Sequence, residues 1–311
     1  MKFRILPVLL LLAAPAFADT FGSGANTFDI NFATIGNAGN TDDDTGYGGV
    51  SYTYQMGVNE VSRGMINAYN ALSGVPTLTM FDMTSYGGNG LNRPATAVSW
   101  NEAARFVNWL NTSEGYSAAY KFTTGGFNDN IALWTNLDTG YDAANPFRNA
   151  NAHYFLPSED EWYKAAYYDP NKSGGAGYWN YATGSDTAPT AVAGGTTSGT
   201  AVYNGQSGPA DITNAGGLSA YGTMAQNGNV WEWGESGFTA PNDSADESRV
   251  IRGGYWINFS SDTLASTTRS NASPSLENFN LGFRVAAVPE PSGVLLTWIG
   301  MMGVVLRRKR G

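Results

Sequence analysis

No cysteine occurs among the 311 residues, and His153 is the sole histidine. Disulfides, zinc fingers and iron–sulfur clusters are therefore excluded, as is thiol catalysis. Sites that need two or three protein imidazoles are excluded by the same count. Hydrophobic residues make up 42%, enough for a core, while charged residues at 14% fall well below the usual quarter. With 39 glycines, the chain is expected to be rich in turns and irregular loop.

Charge is unevenly placed. Lys2, Arg4, Arg307, Arg308, Lys309 and Arg310 take six of the 17 bases, and Glu290 is one of the 26 acids. Residues 19–288 thus hold 11 bases against 25 acids, a net charge of −14. Such an acidic body argues against nucleic acid as a partner, because phosphates demand a basic patch. It suits divalent cations or an extracellular matrix.

Both ends read as addresses. Lys2 and Arg4 precede the apolar stretch Ile5–Ala14, and Ala16-Phe17-Ala18 is an A-x-A cleavage site. Residues 1–18 are expected to be a secretory signal peptide, read by the Sec machinery and signal peptidase. At the other end, residues 288–311 combine Pro289-Glu290-Pro291, an apolar run from Gly293 to Leu306 and a basic finish. That run is shorter than the roughly 20 residues of a relaxed transmembrane helix. The three parts resemble a bacterial PEP-CTERM sorting signal. The resemblance implies a Gram-negative cell, cleavage by an exosortase-type protease, tail anchoring until sorting, and a role near exopolysaccharide and biofilm. A plain membrane anchor is the alternative, and membrane contact is expected through this tail alone.

Between the ends, residues 19–49 are rich in Gly, Asn, Thr and Asp and read as a flexible lead-in. Asp42-Asp43-Asp44 reads as a solvated turn, since no Glu follows at position 12 of a calcium loop. Val50–Gly57 alternates like a strand, and Glu60–Leu72 reads as a helix. Ser99 and Glu102 form a capping box ahead of Ala103, Phe106, Val107 and Leu110, one apolar helical face. Ser158 and Glu161 repeat the arrangement. Residues 171–222 carry no period and read as long loops. Asn229–Trp233, Arg249–Trp256 and Leu281–Ala287 read as short strands. Two main helices, short strands and much irregular loop make the expected fold class α+β.

Six segments in order resemble the formylglycine-generating enzyme family, the sulfatase-modifying factors. They are Asn59–Ser62, Pro94–Ala103, Leu156–Trp162, Gly228–Trp233, Arg249–Trp256 and Leu281–Arg284. The resemblance spans residues 50–287 and implies a C-type lectin-like variant fold. Active members hold copper(I) on two cysteines and oxidise a substrate cysteine. The matching positions here are Asn258 and Thr263, and Tyr255 replaces a serine, so copper is not expected. The resemblance also implies structural calcium at Gly228, Val230 and Glu232, with Ala225 in place of the first ligand. The alternative reading pairs Glu232 with Arg252 or Arg284. Trp231, Trp233, Trp256, Arg252, Gly253, Gly254, Arg269, Gly282 and Arg284 read as architecture, and His153 as a structural residue.

The expected function is that of a secreted, surface-sorted, catalytically inactive member of this family. It would be a binding or structural component associated with exopolysaccharide, or a binder of an extended peptide. The alternatives are an extracellular enzyme hydrolysing glycans with carboxylates from Asp160, Glu161, Glu232 and Glu235, and a calcium-dependent lectin-like binder.

Overall fold

The computed structural model describes residues 17–72, 74, 77–126 and 128–289. The signal peptide's n-region and apolar stretch, Glu290, Pro291 and the apolar run from Gly293 lie outside the described residues. Among those described, no helix is long and apolar enough to cross a membrane.

The first elements correct the expected lead-in. β1 (Phe17–Phe21) and β2 (Phe28–Ile35) form an antiparallel hairpin, in register from Phe17↔Phe32 to Phe21↔Phe28. Phe21, Ile30 and Phe32 enter the main core, while Ala33 and Ile35 enter a second cluster. The polar residues that suggest a loose segment, such as Asp29 and Asn31, are the outward half of this strand. The expected cleavage point after Ala18 falls inside β1.

β3 (Tyr54–Gly57) is shorter than expected and pairs with β2. Among the described residues there are three α-helices, the two expected capped ones and the one expected within Glu60–Leu72. α1 (Arg63–Leu72) starts after Ser62, whose hydroxyl accepts the Met65 N–H at 3.2 Å. α2 (Trp100–Ser113) opens with the expected capping box, and Ala103, Phe106, Val107 and Leu110 are buried. β4 (Tyr154–Phe155) precedes α3 (Glu159–Tyr167), which opens with the second capping box.

The long stretch after α3 is mostly irregular. It holds two small pairs: β5 (Tyr168–Asp169) with β6 (Gly177–Tyr178), and β7 (Thr190–Ala191) with β8 (Thr200–Ala201). β9 runs from Trp231 to Gly237, later than expected. β10 (Arg249–Arg252) stops short of Trp256 because Gly253 and Gly254 turn the chain with φ of +98° and +77°. β11 (Ser270–Ala272) follows.

The last expected strand divides in two. β12 (Leu281–Gly282) lies parallel to β9, and β13 (Ala286–Ala287) lies between β3 and β4. One sheet therefore has the order β1-β2-β3-β13-β4 and the other β11-β10-β9-β12. Arg284 sits on the crossing between the sheets, fully buried. The three helices fall between β3 and β5, and the strand pairs are mostly antiparallel, giving a mixed helix and sheet domain.

Candidate functional site

Gly253 and Gly254 lead directly into the positions where the family's chemistry is expected. A side chain on Gly254 would stand 2.6 Å from Leu264 Cδ2, so the close approach there requires glycine. Asn258 folds back on this turn: its Oδ1 accepts the Tyr255 N–H at 2.7 Å, and its own N–H donates to Tyr255 O at 3.0 Å. Thr263 lies in the short 3-10 turn Ser261–Leu264, and its hydroxyl donates to Ser260 O at 2.8 Å. Tyr255 is half-buried, edge-on to Trp256 with ring centroids 5.4 Å apart. Both candidate side chains are thus engaged in local turn bonds. An amide and a hydroxyl supply no thiolate, and these residues do not fit copper(I).

The motif charges form three buried assemblies. Glu232 accepts Arg284 Nε at Oε2 and Arg284 Nη2 at Oε1, both at 2.5 Å. Its Oε2 also accepts the Trp162 indole at 2.6 Å. Of the two expected partners, Arg284 is the one found; Arg252 pairs with Glu159 instead. With both carboxylate oxygens held by a guanidinium and Ala225 offering no side-chain oxygen, Gly228, Val230 and Glu232 do not fit a calcium site. Glu60, also buried, accepts Asn229 Nδ2 at 2.6 Å. Burial, then the neighbouring Glu232 charge, pushes its carboxyl above the usual range.

Arg252 and Arg269 converge on Glu159. Arg252 Nη2 lies 2.6 Å from Oε1, and Arg269 Nη2 lies 2.6 Å from Oε2. Together they tie β10 and the segment before β11 to the first turn of α3.

The third assembly centres on Arg148. Its Nη2 lies 2.9 Å from Glu161 Oε2, and its Nε lies 2.9 Å from Glu235 Oε2. Tyr52 donates to Glu161 and Tyr120 to Glu235, each at 2.7 Å. Burial acts to raise the Glu161 carboxyl, but the Arg148 charge together with hydrogen bonds from Arg148, the Ser158 N–H and Tyr52 outweighs it and holds the carboxyl below its usual range. Arg148 and Tyr52 line a cavity of about 390 Å³, with Glu161 and Glu235 buried behind them.

Glycan hydrolysis by Asp160, Glu161, Glu232 and Glu235 is not the arrangement found. Glu161 and Glu235 do converge, but on one guanidinium. Glu232 faces Arg284, and Asp160 accepts Gly48 N–H at 3.0 Å. Arg148 and Glu159 are key members that motif reading does not single out. Arg148 lies in an irregular stretch with no period to mark it. The pairing of Glu159 is signalled only by its place in a capped first turn. His153 stacks on Tyr116 with centroids 4.6 Å apart, in a structural setting.

Fold and site together define an α+β domain whose irregular segments are tied by buried arginine–carboxylate assemblies. The chain belongs to the sulfatase-modifying factor enzyme 1-like domain family, whose model matches residues 43–288. Among solved structures, it resembles Treponema denticola variable protein 1 at 21% identity and a TM-score of 0.56, over 88% of this chain and 99% of that one. It also resembles CarF, at 18% identity and a TM-score of 0.54, over 84% and 99% of the two chains. PvdO from Pseudomonas aeruginosa gives 17% identity and a TM-score of 0.53, over 89% and 100%. At these identities the likeness concerns the fold. No curated protein sequence matches significantly.

Proposed function

We propose that this protein is an exported, surface-sorted member of its family that does not make formylglycine. It acts as a binding or structural module of an exopolysaccharide-rich matrix. The observation that carries this reading is the chemistry of Asn258 and Thr263. At the positions that match the family's two cysteines, an amide and a hydroxyl bond to their own turns.

In this reading the domain is a C-type lectin-like variant used as a scaffold. Sec export removes residues 1–18. An exosortase-type protease then acts at Pro289-Glu290-Pro291, releasing the body to the surface of a Gram-negative cell. The ligand is a matrix polysaccharide rather than an extended peptide.

The test is direct. The purified protein, given copper(I), oxygen and a cysteine-containing peptide, forms no aldehyde detectable by hydrazide labelling and mass spectrometry. Turnover of the peptide to an aldehyde overturns the reading.

A further inference from the structure

On the side of α2 away from its buried stripe lies a cleft of about 610 Å³, within the range of small-ligand sites. Tyr69 from α1, Trp109 from α2, and Phe122 and Trp134 from the following segment line it. Trp109 and Trp134 are half-buried. Each is fixed from behind, Trp109 edge-on to Tyr69 at 5.5 Å and Trp134 by its indole N–H on Ala119 O at 3.0 Å. Both indoles are thus held in place, with Lys121 Nζ 5.8 Å from the centroid of Trp134, and each keeps part of its ring exposed to the cleft.

Arg105 stands in this cleft. Its guanidinium carbon lies 3.8 Å from the centroid of Phe122, so the ring holds it. Of its five N–H donors, one bonds Thr124 O at 3.3 Å, and the buried Nε has no partner. Arg148, Arg249, Arg252, Arg269 and Arg284 each pair with a carboxylate; among the described residues Arg105, like Arg63 and Arg93, has no such ion pair, and of these three it is the one that lines this cleft. Asp129 is the acid nearest in effect, and its carboxylate is bonded by the Thr124 hydroxyl and by Gly126 N–H. The second cation, Lys121, is already paired with Asp138 at 2.7 Å.

We infer that this cleft binds a glycan bearing uronic-acid carboxylates. The aromatic faces take the C–H faces of the sugar rings, and Arg105 takes the carboxylate through paired N–H bonds. A peptide is disfavoured where the main chain at one wall of the cleft is already used. Asn108 bonds both the N–H and the carbonyl of Tyr120, and Ala119 O holds Trp134. At residues 119–120 these bonds compete with pairing to an extended backbone. The inference rests on the matrix-module reading and names the ligand of that module.

The experiment measures calorimetric binding of the full-length protein to alginate oligosaccharides, cello-oligosaccharides and polyglutamate. Wild type is expected to bind alginate alone, more weakly at higher salt. R105Q is expected to weaken that binding at least about tenfold, R105K less so, and W134A to abolish it. Thermal melts of all variants should match wild type, and R105K covers the case in which W134A fails to fold. Alginate binding unchanged in R105Q and W134A overturns the site but leaves the matrix reading intact. Binding of cello-oligosaccharide alone overturns the ligand class. Polyglutamate binding with the same dependence on Arg105 and Trp134 makes the cleft an acidic-peptide site and overturns the proposal, as does binding of none of the three. The matrix reading is tested separately, by whether the protein co-fractionates with the exopolysaccharide of producing cells.

Discussion

The two capping boxes have one sequence pattern and one set of cap bonds, yet their acids differ in character. Ser99 Oγ accepts the Glu102 N–H at 3.2 Å, and Ser158 Oγ accepts the Glu161 N–H at the same distance. Each glutamate returns a bond to its serine N–H, at 2.7 and 2.6 Å. Glu161 also receives Arg148 and Tyr52. The remaining Glu102 oxygen, Oε1, is buried without a partner, and burial pushes that carboxyl up to about 7. The short motif therefore sets where a helix begins, while a distant residue sets whether its acid is charged.

The comparison breaks most severely at Arg148. R148M leaves Glu161 and Glu235 buried together without a cation and should cost about 3–5 kcal/mol of unfolding free energy, read by urea titration. E161Q comes next, at about 2 kcal/mol near neutral pH, because it removes a charged acceptor from a satisfied network. Its signature is acidic. The folded carboxyl lies below its unfolded value, so the stabilisation is present above about pH 4.5 and is lost as pH falls through the folded value. E161Q should lack that acid loss.

S99A and S158A should each cost about 1 kcal/mol, since they remove equivalent cap bonds. A large difference between these two would show that the boxes are not alike even as caps. The smallest effect is expected from E102Q, within about 1 kcal/mol, and it changes with pH. The folded carboxyl lies above its unfolded value. Its contribution is therefore fully present below about pH 4.5 and lost as pH rises through about 7. Relative to wild type, E102Q should gain stability between pH 5 and 8. A flat difference across that range would show that Glu102 does not titrate there.

Sequence pattern reveals those features whose signal is local. The apolar stripe of α2, both capping boxes and the Arg-Gly-Gly turn follow from residues within a few positions of one another. β1 and β2 do not, although Phe28, Ile30 and Phe32 alternate. The surrounding Gly and Asn dilute the alternation, and β1 pairs with β2 before the sheet takes up β3. The division of Leu281–Ala287 between two sheets is likewise invisible, because it depends on partners far away in the chain. The same holds for the aromatic cleft. Arg105 and Trp109 lie off the buried stripe of α2, which marks them as outward-facing. Their meeting with Phe122 and Trp134 comes from the fold.

The position of β13 has a consequence for biogenesis. Ala286 and Ala287 pair with β3 on one side and β4 on the other, so an interior strand of the five-stranded sheet is its last segment to be synthesised. A chain folding from its N-terminus as it is made would expose an open gap between β3 and β4 until residue 287 had emerged. Arg284, whose partners lie on β9 and at the end of β3, would arrive only then. Closure of this sheet therefore waits on its last-made strand. A chain truncated just before residue 284 would lose that interior strand and the counter-charge of Glu232 together. It should emerge as a protease-sensitive intermediate rather than as a slightly shorter native protein.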